Sequence, residues 1–188
     1  IGSYAFYGCD SLTSIVIPAS VTSIGKGTFE DCDSLTSITL PFVGEKADES
    51  GSTYFGYLFG NSSYTSSNYV PSSLKEVKVT GGTNLGSCAF YACENIEKII
   101  LPDTLSSIGG NAFSGCSSLT SINLPSSITS IENNAFRDCS SLTSIEIPEG
   151  VTSIGYNAFH GCSSLTSITL PFVGAELNGT SDTNFGYI

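Results

Sequence analysis

Apolar residues return along the chain in one short figure, Leu-x-x-[Ile/Val]-x-[Leu/Ile/Val]. It stands at Leu12/Ile15/Ile17, Leu35/Ile38/Leu40, Leu74/Val77/Val79, Leu119/Ile122/Leu124, Leu142/Ile145/Ile147 and Leu165/Ile168/Leu170, and with isoleucine leading at Ile96/Ile99/Leu101. Alternation at the last two apolar positions predicts a short strand with one buried face. The first members lie 23, 39, 22, 23, 23 and 23 residues apart. A fixed period in the low twenties marks a solenoid, because a unit this small buries its apolar face only by stacking on its neighbours. Seven strands stacked at strand spacing predict one parallel sheet about 35 Å long.

Other columns keep the same register. Phe6, Phe29, Phe90, Phe113, Phe136 and Phe159 form one, and Cys9, Cys32, Cys93, Cys116, Cys139 and Cys162 another. Ile1, Ile24, Leu85, Ile108, Ile131 and Ile154 form a third. Each column is expected as a ladder inside the stack. Pro18, Pro41, Pro102, Pro125, Pro148 and Pro171 directly follow a strand, where a residue without an N–H ends the hydrogen-bonded ladder. Gly2, Gly25, Gly86, Gly109 and Gly155 follow the third column and are expected at tight turns, with Glu132 the exception.

The unit Ile-Gly-x-x-Ala-Phe-x-Gly-Cys-x-Ser-Leu-Thr-Ser-Ile-x-[Ile/Leu]-Pro resembles the BspA-like leucine-rich repeat of bacterial and trichomonad surface proteins. Several columns match at once over nearly the whole chain. The resemblance implies a mainly β fold: a right-handed leucine-rich-repeat solenoid with one parallel sheet and little or no α-helix. For some members it implies binding to host or neighbouring-cell proteins. The asparagine ladder of other leucine-rich repeats is absent after the strand, which weakens analogy with receptor-type repeats.

The pattern stops from Phe42 to Ser73. This insert begins polar and turns aromatic, with Tyr54, Phe55, Tyr57, Phe59, Tyr64 and Tyr69. Long loops in compact proteins are usually functional or disordered, and the aromatic density opposes disorder. Pro41-Phe42-Val43-Gly44 returns at Pro171-Phe172-Val173-Gly174, and Phe55-Gly56-Tyr57-Leu58 at Phe185-Gly186-Tyr187-Ile188, both 130 residues on. A higher-order unit of coils plus insert therefore repeats, and a second insert starts at 172. The expected organisation is a single solenoid over residues 1–188, cut from a longer array, because Ile1 falls inside a repeat unit, Ile188 falls inside an insert and neither end resembles a polar cap.

Charged residues are only 12% of the chain, with a net charge of −11. An acidic, charge-poor surface opposes nucleic-acid binding and docking on anionic lipid. No apolar run reaches the length needed to span a membrane. Six of the seven cysteines share one column and read as reduced packing residues, since parallel side chains suit a disulfide torsion poorly. Cys88 lies outside that column and is the thiol expected at the surface. A 23-residue spacing and a single histidine, His160, do not make a zinc site, and no Ser/His/Asp arrangement follows from any motif. No catalytic residue, metal or cofactor is expected. Asn61-Ser62-Ser63 and Asn178-Gly179-Thr180 fit the glycosylation sequon.

What remains is surface. The outward threonine column (Thr13, Thr36, Thr120, Thr143, Thr166) and serine column (Ser14, Ser37, Ser121, Ser144, Ser167) suit a solvated sheet face. The third outward column (Val16, Thr39, Lys78, Ile100, Asn123, Glu146, Thr169) is the most varied, as a recognition surface would be. Lys75, Glu76, Lys78, Glu97, Lys98 and Ile100 gather on two adjacent coils and form the candidate contact patch, or else pair across strands only to keep the face soluble. Asn123 and Glu146 extend the patch. Tyr54, Tyr64 and Tyr69 are the insert residues expected to be exposed for contact, while Phe42, Phe55, Tyr57 and Phe59 either bind or pack the insert onto the solenoid. These features suggest a non-enzymatic, adhesion-type protein-binding module of a secreted or cell-surface bacterial protein, its partner a host matrix or cell-surface protein. A carbohydrate-binding or spacer module is the alternative.

Overall fold

The computed structural model describes residues 1–47, 51, 53–64 and 69–172. The chain winds as a stack of coils, and its strands pair in parallel from coil to coil. Strands β1 (Ser14–Val16), β2 (Ser37–Leu40), β3 (Glu76–Val79), β5 (Lys98–Ile100), β8 (Ser144–Glu146) and β10 (Ser167–Thr169) arise from the repeated apolar figure. The ladder runs β1-β2-β3-β5, in register at Ile15, Ile38, Val77 and Ile99. It reaches the β8–β10 pair only through single parallel bridges, Lys98 to Ser121 and Ser121 to Ser144. The coil of Leu119 to Leu124 thus keeps one ladder residue where each of its neighbours keeps three.

A second parallel ladder was not expected. It joins β4 (Asn84–Leu85), β6 (Ser107–Ile108), β7 (Ser130–Ile131) and β9 (Ser153–Ile154) and follows the third apolar column. Two-residue strands are too short to show alternation in the sequence. No α-helix occurs among the described residues; the one helical element is a 3-10 turn at Phe55–Phe59.

The apolar columns fill the interior. Phe90, Phe113, Phe136 and Phe159 stack face to face, with centroids 5.7, 5.0 and 5.4 Å apart and planes within 13° of parallel. Phe6 and Phe29 stack likewise at 5.5 Å. The cysteine column has a specific partner. The thiols of Cys32, Cys116, Cys139 and Cys162 donate to the carbonyls of Phe6, Phe90, Phe113 and Phe136 in the coil before, at 3.1–3.2 Å. All seven cysteines are free thiols. Burial pushes Cys93 and Cys116 up, Cys116 to about 12. Cys139 is raised by its hydrogen bond with Cys162 and by burial. Cys88 is half-buried, as are Cys9 and Cys162.

The column glycines serve a purpose other than turning. Gly25, Gly109 and Gly155 have no positive φ. A Cβ on Gly109 would sit 2.7 Å from the Ser87 nitrogen, and one on Gly25 or Gly155 would strike the Ser3 or Asn133 nitrogen. Glycine there lets adjacent coils close to backbone contact. Left-handed positions lie elsewhere, among them Asn111, Asn134 and Asn157 (φ 56–57°), a conformation asparagine tolerates.

The insert is a partial extra layer. On the strand side β2 pairs directly with β3, so nothing intervenes. On the far side the Phe29 and Gly27 amides donate to the Leu58 and Tyr57 carbonyls, at 2.8 and 3.0 Å. In regular coils the equivalent amides, Phe113 and Asn111, donate to Ala135 and Asn133. Phe59 lies 6.1 Å from Phe29, Phe55 lies 5.2 Å from Phe59, and Phe90 lies 5.3 Å from Phe55. The phenylalanine ladder therefore passes unbroken through the insert. Residues 45–47 run antiparallel to 22–24, with Ser23 bridged to Lys46. The insert is a wedge, one layer thick on one side of the solenoid and absent on the other. The second insert expected from 172 lies, apart from Phe172, outside the described residues.

Candidate functional site

The outward face of the long ladder presents the candidate residues, and the structure sorts them. The threonine column is structural. Thr36, Thr143 and Thr166 donate their hydroxyls to the carbonyls of Thr13, Thr120 and Thr143 one coil back, at 2.9–3.2 Å. The charged patch is largely self-paired. Lys98 meets Glu76 at 3.0 Å and Lys75 meets Glu97 at 3.4 Å, both pairs well exposed. Such pairs contribute at most about 1 kcal/mol each and leave little net charge for a partner. Lys78 stays exposed beside half-buried Ile100, its register neighbour.

Among the insert tyrosines, Tyr64 and Tyr69 are exposed. Tyr54 is not as expected: it is half-buried, its hydroxyl donates to the Asn61 carbonyl at 3.2 Å, and its ring meets Tyr57 edge-on. The short loop back from the 3-10 turn draws it down. Tyr64 stands at 90° to Tyr91, and Tyr4 at 73° to Tyr7. Neither pair offers the flat double platform on which a sugar ring stacks. Phe42, Phe55 and Phe59 are buried and pack the insert onto the solenoid. Asn61 is 1% exposed, so its sequon is closed to a glycan; Asn178 lies outside the described residues. His160 is exposed.

Asn123 and Glu146 fall in one concavity. A groove of about 820 Å³ is lined by Ser121, Asn123, Ser144, Glu146, Glu149 and Thr169, with Ile122 and Ile145 at its floor. A second hollow, about 380 Å³, flanks the same coil on the other side, between Ile100 and Asn123. Both exist because the ladder splays here. Just past their strands, the Ile17 and Ile147 amides donate to Thr39 and Thr169 at 2.9 Å. Leu101 and Leu124, the equivalent residues, make no such bond. Asparagine is a poor strand former, and Asn123 is the one asparagine in a column of Val, Thr, Lys, Ile and Glu. Glu149 had no signal in the sequence, since it lies in the turn after Pro148 rather than in a repeat column.

A model of the BspA type leucine rich repeat region matches six copies over residues 1–78 and 83–181. The chain belongs to this family. Such repeat modules are generally protein-interaction scaffolds. A leucine-rich repeat protein from Bacteroides ovatus is 32% identical with a TM-score of 0.64, over 89% of this chain and 39% of that one. A leucine rich cell surface protein from Faecalibacterium prausnitzii is 29% identical with a TM-score of 0.50, over 90% of this chain and 50% of that one. The BspA-type module described here thus spans half or less of either relative's length. No curated protein matches the chain. No helix of the described residues is long and apolar enough to cross a membrane.

Proposed function

We propose that this BspA-type module binds another protein through the outward face of its long ladder, without catalysis of its own. The module would act in adhesion, within a secreted or cell-surface bacterial protein whose partner is a host matrix or cell-surface protein. The observation that carries the reading is the splayed groove at Asn123 and Glu146. It is the place on that face where side chains from three coils converge and coil-to-coil bonding lapses. Lys78, Ile100, Tyr64 and Tyr69 would extend the contact, with Lys75, Glu76, Glu97 and Lys98 framing it through their mutual pairs. The cell-surface relative supports the placement.

The test is to immobilise the module, offer it purified extracellular-matrix and surface proteins, and map the bound footprint by hydroxyl-radical labelling. Protection of the half-buried Ile100 and Leu124 is expected. Protection confined to exposed Tyr156 and His160, which follow the second-ladder strand Ser153–Ile154, would refute the reading. Saturable binding to glycans with no protein ligand would move it to the carbohydrate alternative.

A further inference from the structure

The groove has a definite electrostatic character. Between residues 99 and 172 the chain carries five carboxylates, Asp103, Glu132, Asp138, Glu146 and Glu149, and one cation, Arg137. Arg137 is already held by Asp138 at 3.2 Å. Glu146 and Glu149 both line the groove, no lysine or arginine lines it, and neither carboxylate has an ion-pair partner among the described residues. The nearest lysine of the same face, Lys98, stands on the coil next to Ser121 and lines the second hollow, but it is paired to Glu76 at 3.0 Å, and Lys75 is paired to Glu97. The remaining lining groups are hydroxyls and the Asn123 amide. The field over this half of the face therefore favours a cation, and the chain's net charge of −11 reinforces it at long range. That same charge opposes a second copy of the chain as the occupant.

The shape selects an extended ligand. The hollows on either side of Ser121 to Pro125 together run across the coils from Ile100 to Thr169. They are open and shallow, with an apolar floor at Ile122 and Ile145 and a polar rim. An extended peptide places alternate side chains on one side, so successive cations can reach Glu146 on its strand and Glu149 in the turn that follows it.

We propose that this groove takes an extended segment of a partner protein bearing lysine or arginine at alternate positions, its cations set over Glu146 and Glu149. The proposal rests on the protein-binding reading above and adds the partner's chemistry. The test uses the whole module and a fluorescein-labelled (Lys-Thr)4 peptide, followed by anisotropy. Saturable binding is expected. Glu146→Gln with Glu149→Gln should weaken it about tenfold or more, and Glu132→Gln with Asp138→Asn should change it less than about twofold. Raising salt from about 50 to 500 mM should weaken it comparably. All four positions are exposed, so the variants are expected to fold, which circular dichroism is to check.

Equal binding of a (Glu-Thr)4 peptide, equal losses in the two double variants, or no saturation up to about 1 mM would overturn the proposal. The two readings fail separately. A protein partner footprinted on the ladder face whose affinity ignores Glu146→Gln/Glu149→Gln overturns the cationic segment and leaves the protein-binding reading. A footprint away from that face overturns both.

Discussion

Phe55 is the residue whose removal best tests whether the insert is a rung of the solenoid or a passenger on it. Its side chain is fully buried, with ring centroids 5.2 Å from Phe59 and 5.3 Å from Phe90. Phe→Ala at a site of this kind costs about 3–5 kcal/mol, lost burial and residual cavity together. The two lost ring contacts, worth about 0.5–1.5 kcal/mol each, fall within that range. For a chain of this size about 1 kcal/mol moves the midpoint by 2–4 °C, so Phe55→Ala should lower it by about 6–20 °C. Phe55→Leu keeps most of the volume and should cost less than about 1.5 kcal/mol. Circular dichroism melts give the midpoint. Amide hydrogen exchange locates the damage: the Phe29 and Gly27 amides, bonded to Leu58 and Tyr57, should lose protection. The Thr80 amide, bonded to Leu40 across the undisturbed strand side, should keep it. A Phe55→Ala midpoint within about 2 °C of the parent would mean that the insert carries none of the stack.

Gly109→Ala should destabilise by about 1–3 kcal/mol, because its Cβ would lie 2.7 Å from the Ser87 backbone nitrogen. The neighbouring Gly110→Ala, whose nearest contact is an ordinary 3.5 Å, is its control in the same melts. Stability should fall as pH rises past 9. Cys116 titrates at about 12 folded against an ordinary 9.0, so above 9 the unfolded chain sheds a proton that the folded chain keeps. The slope approaches about 1.4 kcal/mol per pH unit for this thiol until pH nears 12, and Cys116→Ala should lose about 1.4 kcal/mol less between pH 8 and 10 in urea titrations. Asn123→Thr, matching Thr39 and Thr169, should raise stability by up to about 1 kcal/mol and give the Leu101 amide new exchange protection. An unchanged Leu101 amide would show that asparagine is not what parts the ladder.

The stacked columns were legible because a solenoid turns sequence interval into spatial neighbourhood. Phe113, Phe136 and Phe159 lie one above another for the same reason that they lie 23 residues apart. What escaped the sequence lacked that translation. The glycines after the third column announce a constraint, but not whether it is torsional or steric, and only the neighbouring coil's backbone decides. The second ladder rests on pairs of residues, too short to alternate. Phe55 and Phe59 occupy no column, so nothing in the spacing says that they complete one. The threonine and serine columns look alike in sequence, yet Thr36 spends its hydroxyl on the Thr13 carbonyl while exposed Ser144 lines the groove.

The same logic explains where a repeat array can acquire specificity. Positions that bond coil to coil cannot vary without loosening the stack, so the threonines, glycines and cysteine thiols are held to one task each. Freedom is left where the ladder already has an interruption. At Asn123 the strand gives way, two hollows open, and Glu149, a turn residue outside every column, comes to share a surface with Glu146 from a strand. The insert interrupts the array differently, adding a layer on one side while the ladder face stays continuous from β2 to β3. One device shapes the stack and the other marks its face. The uniform coils between them supply the rigidity that keeps Glu146 and Glu149 at a fixed separation from Lys78, and a partner able to match both would sense that separation as well as the charges.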